Sequence, residues 1–431
     1  MAHQTVHRSW AYAFAMSLGS GLAKIAAGVA VLVSAVAFSA GLAAAEPGFS
    51  PIQSIPLPAG SQPTDLIQYG PTSCASTTDC TAVGGQFHGG PVADSESSGV
   101  WGVAAAIAVL AGATGSESRL SAVSCPSVGD CVAVGNYKVS RTSTQPLLVS
   151  EVSGTWGAAT SPTLPVGANT GSSQLAALAG VWCASVGNCV VVGSFTGPGT
   201  SQFLMTAVER SGTWSAMAEL RVGTDTGGTN LVSAMGLACT STANCTAVAS
   251  NGASYSWTKT NGSWGIPRLM STNRHFFVYD VACPSPGMCI AVGGAVYSAE
   301  AITETSGKWG ALHTLPPPSG SQATNVSSLY AIACQPTVCM AVGIAARLAA
   351  YGEYFPQYSV AATWSNGTWS PLALEQGVPA GSAASNSSFL EGVACPSPAS
   401  CLAIGGGGVS PAPPSNGPPA YYPYSTVLTP G

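Results

Sequence analysis

Charge is what this chain has least of. Of its 431 residues only 12 are Lys or Arg, 17 are Asp or Glu and five are His, for a formal net charge of −5. No basic stripe is present, so nucleic acid is not expected as a partner. No long run of one sign suggests a charged tail. Beyond the N-terminus no apolar stretch is long enough to span a bilayer. No segment between the recurring motifs has the length and 3.6-residue period of a helix. Nucleophile-elbow, phosphate-loop and metal-ligand spacings are missing, so no metal and no cofactor are expected. The chain is not disordered, however: 46% of it is hydrophobic, too apolar for that class.

What is present is repetition. The stretch Cys125-Pro126-Ser127-Val128-Gly129-Asp130-Cys131-Val132-Ala133-Val134-Gly135 recurs, altered, seven times. The 14 cysteines fall into seven close pairs: Cys74-Cys80, Cys125-Cys131, Cys183-Cys189, Cys239-Cys245, Cys283-Cys289, Cys334-Cys339 and Cys395-Cys401. An even count with none left over reads as disulfides and an oxidising compartment. Zinc is the competing reading, but it favours two to four intervening residues, and six of these pairs have five and one has four. After each of six pairs comes a Ser-Gly or Asn-Gly turn signal and then a Trp, from Ser98-Gly99-Val100-Trp101 to Asn366-Gly367-Thr368-Trp369.

First cysteines lie 44 to 61 residues apart, a spacing that overlaps those of propellers and solenoids. Each unit divides into four strand-like pieces; in the second they are Leu120–Cys125, Cys131–Gly135, Pro146–Glu151 and Thr155–Ala159. The fold class expected is all-β, a seven-bladed β-propeller of four-stranded blades. The seventh unit lacks its Trp, and Phe49-Ser50-Pro51 near the start matches Trp369-Ser370-Pro371. Residues 46–58 therefore read as the closing strand of the last blade, joining the two ends of the ring and removing two sheet edges.

Arg8 and Lys24 precede the apolar run 25–45, which ends in Ala43-Ala44-Ala45. That pattern reads as a signal peptide over 1–45, leaving a propeller over 46–431. An uncleaved anchor is the alternative, since about 20 apolar residues span a bilayer. No cysteine stands at the cleavage point for a lipid anchor. After cleavage no membrane association is expected, and the protein is expected to be a secreted or cell-surface monomer.

An apolar strand ending in Gly, a turn and a Trp resembles kelch repeats; Gly84-Gly85, Gly293-Gly294 and Gly405-Gly406 match the kelch Gly doublet, whereas Asn136, Ser194, Ser250 and Ile344 depart from it and Ala249 replaces the first Gly. Together with Cys-Pro-Ser and Ala-Val-Gly, the pattern looks like secreted repeat proteins of actinobacteria. The Ser-Gly-Thr-Trp turn is similar to the end of a sialidase Asp-box, but the box Asp is absent. Kelch-like copper oxidases use a cysteine-linked tyrosine, which paired cysteines do not supply.

The cysteine loop and the Gly turn have nearly constant lengths and lie at one end of the blades, because strands alternate in direction. The other two kinds of loop vary, so the opposite face is expected to carry function. On it the richest candidates are Arg347, Tyr351, Glu353 and Tyr354, with Arg274 and His275 as a second group. Further candidates are His88 with Asp94 and Glu96, Tyr137 with Lys138 and Arg141, and Asp225. Aromatic plus charged side chains suit glycan or protein binding, and ordinary exposed loop residues are the bland alternative. The preferred reading is a binding propeller recognising glycan or protein. A polysaccharide-active hydrolase or lyase, with a carboxylate pair such as Glu353 and Asp94, is the second; a structural envelope protein is the third.

Overall fold

The second strand of each repeat reads Ala-Val or a close equivalent, too apolar to face water on either side. In a computed structural model of the chain, Ala82-Val83, Ala133-Val134, Val191-Val192, Ala247-Val248, Ala291-Val292, Ala341-Val342 and Ala403-Ile404 are all 0% exposed. Each is sandwiched between neighbouring blades, as strands buried on both faces require. The structure describes residues 45–58, 67–86, 89–114, 118–198, 201–220, 233–250, 252–295, 297–318, 326–346, 357–375, 387–409 and 420–431. All regular elements among them are strands.

These strands form seven antiparallel sheets, each a four-stranded meander. The innermost strands are Ile67–Cys74, Arg119–Ser127, Ala177–Ser185, Ser233–Ser241, Phe277–Ser285, Val326–Gln335 and Ser387–Ser397. Each contacts the next in that order and the last meets the first, so the sheets close into a seven-bladed β-propeller. The outer strand is shorter than the Thr155–Ala159 expected for the second blade: it covers Thr155–Trp156, after which the chain meets the sheet through a Gly157 N–H to Ser150 O bond at 2.9 Å and a Leu148–Thr160 bridge.

The expected closing strand pairs with the last strand of the seventh blade, Gly48 opposite Thr429, Phe49 opposite Leu428, Gln53 opposite Ser425 and Ser54 opposite Tyr424. Phe49 thus occupies the place that Trp holds elsewhere. Those Trp side chains pack on the preceding blade. Trp101 donates to Ser425 Oγ at 2.9 Å across the ring closure, and Trp309 donates to Ser256 Oγ at 2.8 Å.

All seven cysteine pairs are disulfides, and each closes the loop between first and second strands. By chain entropy each loop closure contributes about 2 kcal/mol. At the same end, six turns place two successive residues at positive φ, for example Ser153 at 49° and Gly154 at 79°. This is the type I′ geometry that matches strand twist and prefers Asn-Gly. The fourth and sixth blades use Asn261 and Asn366 there; the other four use Ser. Ser153→Asn should therefore raise stability by about 0.5 kcal/mol, readable as a higher Tm in calorimetry.

One irregularity recurs in every innermost strand. The register slips by a residue, between Leu120 and Ala122, Leu178 and Gly180, Ala234 and Gly236, Val278 and Asp280, Leu329 and Ala331, and Leu390 and Gly392, and between Tyr69 and Thr72 in the first blade. Such a bulge re-aims one side chain. It also explains the Gly within six of the seven second strands: a Cβ at Gly135 would lie 2.0 Å from Arg119 O, and one at Gly405 would lie 1.9 Å from Phe389 O, whereas the fourth blade has Ala249 at this place.

Candidate axial site on the variable face

The bulged residues are Gly70, Ser121, Ala179, Met235, Tyr279, Tyr330 and Glu391, four positions before the first cysteine of each repeat. Two positions earlier, at the end where the variable loops enter, stand Gln68, Arg119, Ala177, Ser233, Phe277, Ser328 and Phe389. Both rings sit on the innermost strands, so they surround the propeller axis. Scaffold positions repeat from blade to blade, but these two rings do not. Polar and aromatic groups collect in the arc formed by blades five, six, seven, one and two.

At the centre of that arc is Glu391, half-buried. Its Oε1 accepts a 2.6 Å hydrogen bond from Gln68 Nε2, across the junction of the seventh and first blades. Gly70 makes room for it: a Cβ there would lie 3.2 Å from Glu391 Oε2. Burial pushes the Glu391 carboxyl up to about 7, with the Gln68 hydrogen bond and the Arg119 charge pulling the other way. Tyr330 in the sixth blade stands edge-on to Tyr279 in the fifth, ring centroids 5.4 Å apart at 76°, a favourable aromatic geometry. Burial raises both phenols, and the Tyr330 hydroxyl is raised further by Tyr279 and by the Glu391 charge. Gln68 and Arg119 are exposed at the mouth.

Asp280 is also on an innermost strand, yet its role is structural. It accepts from the Ile332 backbone N–H of the next blade at 2.9 Å and from the Val281 N–H at 2.8 Å. Burial raises its carboxyl to about 7 against those two bonds.

Of the sequence-based candidates, Arg274 and His275 are exposed in the turn that leads into the Phe277–Ser285 strand. The His275 N–H donates to Asn273 Oδ1 at 3.0 Å, and buried Phe276 anchors the turn from below. Arg347, Tyr351, Glu353 and Tyr354 lie outside the described residues, as do His88 and Asp225. Three loop candidates belong instead to the interior. Asp94 is 2% exposed, Glu96 8% and Tyr137 8%, because each lies within a strand rather than in a loop.

Glu96 has counterparts. Glu151, Glu209 and Glu304 occupy the same third-strand place, each opposite a Trp, and Lys259 takes it in the fourth blade. The Lys259 ammonium donates to the Thr242 carbonyl in the cysteine loop at 2.8 Å, which puts this row toward the constant face. Burial raises all four glutamates. The Glu-x-Ser-Gly-x-Trp pattern that marks them is visible in the sequence, as is the offset from each first cysteine that marks Tyr279, Tyr330 and Glu391.

Among the described residues no group of three or more His, Cys, Asp or Glu side chains could hold a metal ion, and no helix is long and apolar enough to cross a membrane. No protein-family model matches the chain, and no curated protein matches it. Among solved structures it is similar to one described as YCF48 bound to D1 peptide, at 13% identity over 88% of this chain and 95% of that chain, with a TM-score of 0.47.

Proposed function

We propose that this protein is a secreted or cell-surface propeller that binds glycan at the axial mouth of its variable face. The carrying observation is the contrast between positions. Scaffold groups recur blade after blade, whereas Gln68, Arg119 and Glu391 occur once each, and Tyr only at 279 and 330, in rings that surround the axis. Tyrosine rings offer faces to sugar C–H groups, and amide, carboxyl and guanidinium offer directional hydrogen bonds to hydroxyls. Arg274 and His275 stand on a loop leading into this site. Arg347, Tyr351, Glu353 and Tyr354 are further proposed contacts from the sixth blade's second-to-third strand loop.

Seven disulfides support an oxidising, extracellular compartment, with residues 1–45 as a removable signal and 46–431 as a monomeric mature domain. The Gly that faces the bulge in six of the seven blades supports kinship with kelch-like repeats.

The enzymatic reading, a polysaccharide hydrolase or lyase, is favoured by Glu391, whose carboxyl takes up its proton near pH 7 as a general acid–base group does. Glycoside cleavage needs two such groups. Asp280 is committed to backbone N–H groups and Asp94 is buried, which makes binding the better reading.

Glycan-array screening of residues 46–431 tests the proposal. Binding is expected to at least one glycan class, with Tyr330→Ala weakening it by about tenfold. Silence on every glycan would sink the glycan reading and leave a protein ligand for the same mouth.

A further inference from the structure

Arg119 is the only cation among the seven aligned mouth positions, all of which are described. Its side chain is exposed. Among the described residues its guanidinium makes no hydrogen bond, and the charge it acts on is that of Glu391. A planar guanidinium has five donors arranged to grip a carboxylate in a bidentate pair. A neutral sugar makes little use of that fork.

Glu391 decides whether an anion is welcome. Facing it are Gln68 from the first blade, Arg119 from the second and Tyr330 from the sixth, with Tyr279 beside Tyr330. Arg119 is thus the only cation among them. When Glu391 is ionised it neutralises the Arg119 field and repels a second carboxylate. When it is protonated the mouth carries a net positive charge, and the Glu391 hydroxyl becomes a donor.

Resting on the glycan reading above, we propose that the axial mouth takes an acidic saccharide, a uronate, with its carboxylate on the Arg119 guanidinium and a proton on Glu391. Binding and protonation are then linked. A uronate stays ionised over pH 6–8, so the pH dependence comes from the protein.

Calorimetric titration with trigalacturonate and, for comparison, neutral galactotriose tests this at pH 6 and pH 8. Trigalacturonate should bind about tenfold more tightly at pH 6, in proportion to the protonated fraction of Glu391. At pH 8 binding should take up a proton, read from two buffers of different ionisation enthalpy. Glu391→Gln, which mimics the protonated form, should bind the acid with a flat pH profile. Arg119→Gln, an exposed change, should weaken the acid by at least about tenfold and galactotriose by clearly less, because a neutral sugar loses at most a hydroxyl contact. Equal affinity for both sugars, tighter binding at pH 8, or an unchanged pH profile in Glu391→Gln would overturn the proposal. Binding of galactotriose alone would leave the glycan reading standing without it; binding of neither sugar by a protein also silent on the array would remove both.

Discussion

Deleting residues 46–58 should unzip the seventh blade and lower stability by about 5 kcal/mol or more. The segment carries the four strand pairs of the ring closure, plus backbone bonds from Ser50 to Val427 at 2.9 Å and from Ile55 to Pro423 at 3.1 Å. Ile55 is 3% exposed in a cluster with Ile67, Tyr69, Leu402 and Ile404 that joins the seventh blade to the first. Phe49 and Ile52 pack against a second cluster around Leu428. Loss of the segment exposes Ala420–Thr429 as a free edge, which invites aggregation. Hydrogen exchange should show protection lost in that strand, and calorimetry a much lower Tm. Ile55→Ala, which leaves the backbone pairing intact, should cost about 2–4 kcal/mol. A deletion variant with unchanged melting and unchanged protection would contradict ring closure by this strand.

Acid should stabilise the protein. Burial raises Asp94, Asp280 and Glu391 each to about 7, and it also raises Glu96, Glu151, Glu209, Glu304 and Glu375. Asp94 is the plainest case: both carboxyl oxygens are buried, and only the Ser95 backbone N–H offsets the cost of burial. A carboxyl whose folded value lies above its unfolded value binds protons preferentially in the folded state. Its stabilising contribution is full below the unfolded value near 4 and is lost as pH rises through about 7. Tm should therefore climb as pH falls from 8 to about 4.5, a gain on the order of several kcal/mol. Asp79 works in the opposite sense. Hydrogen bonds from Ser76, Thr78 and Ser97 hold its carboxyl low, so its contribution is lost only below the ordinary carboxylate range. Asp94→Asn should narrow the gap by stabilising the protein at pH 8 while changing little at pH 4.5. A Tm that falls steadily on acidification from pH 8 would reject this account.

How much of this was legible follows from what repeats. Cysteine pairs, Ser-Gly turns and Trp recur seven or six times, and their regular spacing gave blade number, strand order and the closing role of Phe49. The disulfide loops and type I′ turns are local, so neighbouring residues suffice to specify them. The site was less legible because it is assembled by the ring. Gln68 and Glu391 are 323 residues apart and meet only because the last blade abuts the first. Loop composition points outward to Arg274, His275 and Arg347, while Tyr279, Tyr330 and Glu391 lie inside strands. Asp94 and Tyr137 misled for the converse reason: a polar residue near a turn signal reads as loop, although third and second strands here run on to include it.

The bulge in each innermost strand has a consequence for how such a protein diversifies. Because a small opposing residue, Gly in six blades and Ala249 in the fourth, has already cleared space for the displaced carbonyl, the bulged residue can change without a compensating change elsewhere in its blade. Seven such addresses, one per repeat and all around a common axis, make a combinatorial ring. Ser121, Ala179 and Met235 are addresses still written in small or neutral letters, while Gly70 is held small by Glu391 beside it. Recognition could be rewritten there one blade at a time, with folding left to the residues that every blade shares.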